Sequence, residues 1–89
     1  MPATALLSSL SSPVRVDIVL LLEREGALCV NDVAARVGAS QCNVSHHLTI
    51  LNRAGATKSE RQMNKKMYSI RDQRVAQLVR LAAEVADGV

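Results

Sequence analysis

The apolar residues in the first third of the chain recur at intervals of three or four positions, which is the spacing of amphipathic helices. Three leucines within the first ten residues predict a short first helix. Ser12 and Pro13 signal the start of a second helix, because serine caps a helix and proline fits its first position. Gly26 ends this helix. Its buried stripe is predicted to consist of Val14, Ile18, Leu21 and Leu22.

Two more helices follow, separated by only three residues, Gly38, Ala39 and Ser40. After a short extended stretch at residues 27–30, Asn31 is predicted to cap the third helix. Ser40 is predicted to cap the fourth, which ends before Gly55. A tight turn that contains glycine lets two short helices cross steeply, as in the helix-turn-helix motif. The inward side of the fourth helix is predicted to be Val44, Leu48 and Leu51.

The helical spacing of apolar residues ends at Gly55. Residues 56–62 and 66–70 predict two mostly polar strands, joined by a turn at residues 63–65, so this hairpin should stand out from the body. Asp72 then opens a last helix with an apolar side. The predicted fold is mainly α with a small β-hairpin, in the order of four helices, the hairpin and one helix.

Composition narrows the class of protein. With 89 residues, the chain is predicted to be a single domain with a marginal core, so a second copy of the chain is a plausible source of stability. No segment is apolar enough to predict a membrane span. Two cysteines without a secretion signal indicate reduced thiols and a cytoplasmic protein. No cofactor motif is present, and no catalytic set of side chains can be assembled, so we expect no enzyme.

The charge is concentrated in the middle of the chain. The formal net charge is +3, but residues 36–71 carry seven basic residues and one acidic residue. Residues 1–35 have a net charge of −2, and residues 72–89 have a net charge of −1. A basic segment between mildly acidic ones is typical of a polyanion-binding site, although an ordinary solvated face would have the same charge.

The outward face of the fourth helix has the residue types that read DNA. Small and polar side chains can reach base edges in the major groove, and amides near the helix start can pair with adenine. Basic residues at the hairpin tip suit the phosphate backbone or the minor groove. The predicted DNA contacts are Ser40, Gln41, Cys42, Asn43, Ser45, His46, Thr49 and Arg53 from the helix, and Arg61, Lys65 and Lys66 from the hairpin.

Several of these segments resemble one family over nearly the whole chain. The segments at residues 10–15, 29–34, 51–55 and 67–70 support the match, and the S-Q-x-x-V-S-x-H-L block at residues 40–48 is the most specific part. The sequence is similar to the bacterial ArsR/SmtB-type winged helix-turn-helix repressors. The resemblance implies a recognition helix at about residues 41–53, a wing at about residues 56–70, and repression that is released by a ligand.

The resemblance also implies a homodimer that binds double-stranded DNA, with the first and last helices as the dimer contact. The apolar side of the last helix supports a dimer independently of the resemblance, because a lone chain would expose this side to solvent. The predicted interface residues are Leu6, Leu7, Leu10, Val75, Leu78, Val79 and Ala82.

The two metal sites that the family uses look incomplete in this chain, so no metal is expected. Cys29 matches the first thiolate of the C-x-C pair, but Asn31 stands at the second position. The family's zinc site on the last helix pairs an Asp-x-His motif with a second histidine about three turns later. Here Asp72 matches the aspartate, but Arg74 stands at the first histidine position and Val85 at the second. An amide is a poor ligand for soft metals, and a guanidinium would repel zinc.

Cys42 leaves three interpretations open. Cys42 and His46 lie four residues apart, a workable metal-ligand spacing, but two ligands are few. A thiol at a helix N-terminus could also contact a base or respond to oxidants, because that position lowers a thiol pKa. The third interpretation is an inert small residue.

A different class of function also fits the predicted fold. A winged helix can act as a protein-interaction module that docks its basic segment on acidic partners without reading DNA sequence. The polar face of the fourth helix argues against it, because the centres of protein interfaces favour aromatic residues and methionine.

Overall fold

A computed structural model describes residues 2–88. Within these residues, five helices and one two-stranded antiparallel sheet follow in the predicted order, which confirms the mainly α winged helix-turn-helix fold. None of the described helices is long and apolar enough on its own to cross a membrane; α1 and α2 pass that test only as a pair, which is bent by 96°. The elements are α1 (Ala3–Ser9), α2 (Pro13–Glu25), α3 (Val30–Val37), α4 (Gln41–Ala54), β1 (Thr57–Gln62), β2 (Lys65–Ile70) and α5 (Gln73–Ala86).

Three of the predicted helix caps are confirmed by hydrogen bonds. The Ser12 hydroxyl accepts the N–H of Arg15 at 3.4 Å, and the Ser40 hydroxyl accepts the N–H of Asn43 at 3.1 Å. The Asp72 carboxylate accepts the N–H of Arg74 at 2.9 Å. Each bond satisfies a backbone donor that the first turn of a helix leaves free. The start of α4 is therefore fixed by its own sequence.

The turn between α3 and α4 depends on one glycine. Gly38 has φ 72°, in the left-handed region that L side chains rarely adopt, and its N–H is donated to the carbonyl of Ala34. This conformation ends α3 and redirects the chain within two residues. The short connection predicted between the two helices is confirmed.

The predicted cap of α3 is wrong. The helix begins at Val30, one residue before Asn31, and its N-cap is Cys29, which makes no side-chain cap hydrogen bond. The reason lies in the extended stretch before it, where Leu28 pairs with Tyr68 through N–H···O bonds of 2.9 and 2.8 Å. This bridge ties residues 27–29 to the hairpin and sets where the helix can begin.

The strand boundaries of the hairpin differ by one residue from the prediction, because β1 begins at Thr57 and β2 at Lys65. Thr57 pairs with Ile70 and Gln62 pairs with Lys65, so Lys65 belongs to β2 and only Met63 and Asn64 form the turn. Tyr68 is buried against the body, whereas residues 60–66 are all exposed. The hairpin is therefore anchored at its base, and its tip projects into solvent.

The core forms around α2, α3 and α4. The predicted inward residues of α4 (Val44, Leu48 and Leu51) are 0% exposed, as are Ile18 and Val33. Burying each large aliphatic side chain contributes roughly 1.5–3 kcal/mol relative to leaving it in water. Because these residues line one side of α4, the helix lies with its opposite side facing solvent.

Candidate nucleic-acid interface

The outward face of α4 is open to solvent. Gln41, Cys42, Ser45 and His46 are exposed, and Arg53 is exposed at the other end of the helix. Together with Asn43, which is also exposed, they form what we call the reading face. These side chains are short or polar, so they can approach base edges closely.

Two of the predicted contacts already bond to their own backbone. The Ser40 hydroxyl is the N-cap acceptor, and the Thr49 hydroxyl donates to the carbonyl of Ser45 at 2.9 Å. Thr49 is also only partly exposed. Its methyl group, rather than its hydroxyl, is therefore the part available for contact, which suits the methyl group of thymine.

A hydrogen-bonded arginine behind α4 joins three helices. The Arg15 guanidinium, on α2, donates from Nε to the carbonyl of Ser9 at 2.6 Å and from Nη1 to His47 Nδ1 at 3.1 Å. Arginine has only donors, so His47 must accept with a neutral ring. Ser9 belongs to α1 and His47 to α4. This set of contacts fixes α4 against the N-terminal part of the chain.

The same contact affects the titration of His47. Burial lowers the pKa of His47 from its ordinary value of 6.5, and the charges of Arg15 and His46 lower it further. His47 is half-buried and faces the body, where its ring contacts Arg15 of α2. His46, one residue earlier, lies on the reading face.

A second set of hydrogen bonds joins the recognition helix to the wing. The amide oxygen of Asn52, near the end of α4, accepts from the Thr57 hydroxyl, and its Nδ2 donates to the Ser59 hydroxyl at 3.1 Å. Thr57 is only 1% exposed, so water cannot replace this bond. The Asn52 amide therefore helps to fix the orientation of β1 relative to α4.

The wing carries cations on both of its faces. Arg61 lies opposite Lys66 on the face that also holds Tyr68, and Lys65 lies opposite Gln62 on the other face. The Lys66 ammonium stands 5.4 Å from the centre of the Tyr68 ring. A cation within about 6 Å of an aromatic face is attracted to it. Lys66 is thus drawn toward the base of the wing, whereas Lys65 and Arg61 remain at the tip.

The positive charge of the segment is mostly uncompensated. Within residues 2–88, Arg36 is bonded to Glu25 at 2.7 Å, and it is the one basic residue of segment 36–71 that forms a salt bridge. The other six basic residues of the segment are exposed. These are Arg53, Lys58, Arg61, Lys65, Lys66 and Arg71.

The two stretches that correspond to family metal sites contain no ligand cluster. Among the described residues, no three His, Cys, Asp or Glu side chains are placed to hold one ion. Arg74 donates to the Asp72 carboxylate, with Nη2 2.7 Å from Oδ2. This hydrogen bond from Arg74 lowers the Asp72 pKa to about 2. Cys29 is half-buried, and Cys42 is exposed in the first turn of α4.

An apolar surface lies on α1 and α5. Leu7, Leu81 and Val85 are exposed, the last two at 58% and 71%. A groove of about 320 Å³ beside them is lined by residues that include Leu10, Leu78 and Ala82. Leu6 is half-buried. Val75 and Val79, predicted for the dimer contact, lie in the core of their own chain, which leaves little of their surface for a partner.

Comparison with known proteins gives the family. The model of the family "Bacterial regulatory protein, arsR family" matches residues 12–56. This segment contains α2, α3, all of α4 and the turn into the wing, including the reading face. The chain belongs to the arsR family of bacterial regulatory proteins. The family is one of DNA-binding transcriptional regulators, not enzymes.

Relatives in sequence cover most of this chain. It is 38% identical over 82 residues to a cadmium resistance transcriptional regulatory protein CadC homolog of Staphylococcus aureus, covering 92% of this chain and 68% of the relative. It is 39% identical over 77 residues to the transcriptional repressor SmtB of Mycobacterium tuberculosis, covering 86% of this chain and 56% of the relative.

Solved structures agree over nearly the same length. The homodimeric winged helix-turn-helix DNA-binding domain of a possible ArsR-family regulator from Mycobacterium bovis has a TM-score of 0.85 and 27% identity, covering 94% of this chain and 77% of that one. The transcriptional repressor BigR from Xylella fastidiosa has a TM-score of 0.80 and 29% identity, covering 92% and 83%. The winged helix-turn-helix fold is therefore shared with known ArsR-family regulators.

Sequence reasoning missed Arg15 and Asn52 as residues that position the site. Both lie in segments that carry the family resemblance, but neither faces the predicted DNA surface. Their roles depend on contacts over 32 and 5 to 7 residues in sequence, which no local pattern reveals.

Asn52→Ala should destabilise the wing. The buried Thr57 hydroxyl would lose its acceptor, at a cost of about 1–3 kcal/mol in the free energy of unfolding. Urea denaturation measures this cost, with Ser59→Ala as the control, because Ser59 is half-buried and water can replace its bond. Equal stability of Asn52→Ala and wild type would mean that the amide does not hold the wing.

His47 should make stability depend on pH. Its pKa is lowered in the folded state, so the unfolded chain takes up a proton first as the pH falls below 6.5. The contribution of His47 to the free energy of unfolding should be complete above that value. As the pH falls from about 6.5 to the folded-state pKa, the free energy of unfolding should decrease. In thermal melts, His47→Gln should lose this dependence, whereas His46→Gln should keep most of it, because burial and Arg15 are the larger causes of the lowered pKa. The same pH profile for His47→Gln and wild type would contradict the assignment.

Proposed function

We propose that this protein is a homodimeric, sequence-specific repressor that inserts α4 into the major groove and rests its wing on the phosphate backbone or in the minor groove. The main observation that supports the proposal is the reading face, which is the polar side of a helix whose other side is buried in the core. The helix is also held at its cap by Ser40 and behind it by Arg15. Rigid presentation of short polar side chains is what base readout requires.

Charge supports DNA as the partner. The exposed cations of segment 36–71 lie along the reading face and the wing, whereas most acidic residues lie elsewhere in the chain. DNA carries one negative charge per roughly 1.7 Å of helix axis, so several phosphates fall within reach of such a surface. Six cations without salt bridges would release counterions from DNA, which makes binding sensitive to salt.

The apolar surface on α1 and α5 supports dimerisation. Leu78, Leu81, Ala82 and Val85 follow helical spacing on α5, and Leu7 adds to the same side of the molecule. A second copy would bury these side chains, and dimer symmetry would then present two copies of α4 to two half-sites of the DNA. The homodimeric Mycobacterium bovis relative has the same fold.

We further propose that neither metal site of the family operates in this chain. At one site an amide, Asn31, replaces a thiolate. At the other, the Arg74 guanidinium bonds the Asp72 carboxylate that zinc would need. Release from DNA would then be independent of these metals, or would occur through the exposed Cys42 thiol, since oxidation there would place a larger or charged group on the reading face.

Binding titrations over a range of salt concentrations test the proposal. The probes are the duplex upstream of the protein's own gene and a scrambled duplex of the same composition, each with and without zinc and with and without oxidant. We expect a strong preference for the upstream duplex that zinc does not change. Equal affinity for both duplexes at every salt concentration would contradict sequence-specific binding and favour a protein-interaction module.

Substitutions on the reading face and on the wing should change DNA affinity in different ways. Gln41→Ala should reduce the preference for the specific duplex by about 1–3 kcal/mol, because a base contact is lost. Lys65→Ala should instead weaken binding to both duplexes and reduce the salt slope by about one for each wing. The same titrations measure both effects. An equal loss on both duplexes with Gln41→Ala would contradict base readout by that residue.

Leu81→Glu should separate the dimer. A carboxylate at this exposed apolar position would be buried without a partner in the dimer, while the fold of each chain should persist. Sedimentation equilibrium measures the association, and circular dichroism checks the fold. Gln62→Glu is the matched control, since it adds the same charge at an exposed position on the wing, outside the apolar surface. A dimer of unchanged stability in Leu81→Glu would contradict this interface.

A further inference from the structure

The tip of the wing exposes one large apolar side chain. Met63 is 96% exposed, more than any other large hydrophobic residue among residues 2–88. It does not pack on the body, and the tip residues on either side of it, Gln62 and Asn64, are also exposed. The Met63 side chain does not contribute to the core, because removing it would expose no other side chain to solvent.

The backbone at Met63 is also unfavourable for its residue type. Met63 has φ 57° and is the one residue other than glycine with a positive φ in the described part of the chain. A two-residue hairpin turn favours glycine, asparagine or aspartate at such a position. A methionine there adds strain without adding packing. Strained residues of this kind cluster at functional sites.

The surroundings of Met63 are cationic. Lys65 lies two residues after Met63. Arg61 and Lys66 form the second cross-strand pair from the turn. None of the three forms a salt bridge within residues 2–88. An apolar tip flanked by the cations Arg61 and Lys65 matches a groove with apolar sugar walls between two anionic rims.

We propose that Met63 enters the minor groove beside each half-site and packs against its deoxyribose walls and floor, making it a specificity-determining residue. This inference rests on the proposed function, because it requires α4 to lie in the adjacent major groove. The minor groove is about 6 Å wide, and apolar side chains, methionine among them, are known to fit there. The unbranched methionine chain is narrow and flexible enough to follow it.

The length of the wing agrees with this placement. A six-residue strand such as β1 spans about 17–20 Å. The major and minor grooves on one side of DNA are separated by about half a helical turn, or roughly 17 Å. A wing anchored by Asn52 at the end of α4 can therefore reach the neighbouring minor groove, with Lys65 and Arg61 at the phosphates on either side.

The placement predicts a preference for A·T pairs under the tip. Guanine carries an amino group on the minor-groove floor, whereas A·T pairs present only acceptors there. That amino group would occupy the space that the methionine side chain fills. Met63 would thus read the class of base pair by shape, at positions that α4 does not touch.

Three variants at Met63 separate side-chain contact from folding. Met63→Gly removes the side chain and suits the positive φ, so it should be no less stable than wild type to urea. Met63→Asn also suits the backbone but is polar, and Met63→Leu keeps an apolar side chain. The probe is a duplex that the wild-type protein selects from a random-sequence library, with a scrambled duplex as reference.

We expect Met63→Gly and Met63→Asn to raise the Kd of the dimer for the selected duplex by roughly tenfold, and Met63→Leu by no more than about twofold. Wild-type affinity in the Met63→Gly variant, with wild type still preferring the selected duplex, would overturn the inference and leave the proposed function intact. No preference by wild type for the selected duplex would instead contradict the proposed function itself.

Inosine locates the contact in the minor groove. Replacing guanine by inosine removes the minor-groove amino group and leaves the major-groove pattern unchanged. Hydroxyl-radical footprinting of wild type shows which base pairs flank the half-sites under the wing, and G·C and I·C pairs are compared at those positions. Wild type should bind the I·C duplex more tightly, and Met63→Gly should bind both equally. The same gain in both proteins would overturn the assignment of Met63 to the minor groove.

Discussion

The burial of the inner side of α4 is the interaction on which both the core and the candidate DNA-binding surface depend. Val44, Leu48 and Leu51 are fully enclosed by α2, α3 and the base of the wing, so the helix cannot rotate without exposing them. The polar residues on its other side are held outward by the same contacts. A short domain with one aromatic residue can therefore present a defined reading face, because the helix that reads is also the helix at the centre of the core.

Two sets of hydrogen bonds extend this rigidity to the neighbouring elements. Arg15 joins α1 and α4, and Asn52 joins α4 to β1, so α4 is tied to other elements at its middle and near its C-terminal end. Preorganisation of this kind reduces the ordering that binding would otherwise require. It also means that a change at α1 or in the wing can move α4. The Ser9–Arg15–His47 contacts thus connect α1, which carries part of the apolar surface, directly to α4.

Most of the fold could be predicted from the sequence, because it rests on local signals. Helical periodicity, the serine and aspartate caps and the glycine at position 38 act over a few residues, and the structure contains each of them. The start of α3 could not be predicted, because the bridge between Leu28 and Tyr68 crosses forty residues. For the same reason the positions of Arg15 and Asn52 behind the reading face, and the exposure of Leu81 and Met63, emerged only from tertiary packing. Local patterns show which side of a helix is apolar, but not what will cover it.

Guanine methylation interference is the measurement that tests the placement of α4 most directly. Methylation at N7 adds a group in the major groove, where that atom is a hydrogen-bond acceptor. The duplex selected by the protein is partly methylated, mixed with protein, and separated into bound and free fractions. We expect guanines methylated within two half-sites, about one helical turn apart, to be absent from the bound fraction. The same methylation pattern in both fractions, at a salt concentration where binding is specific, would contradict major-groove readout by α4.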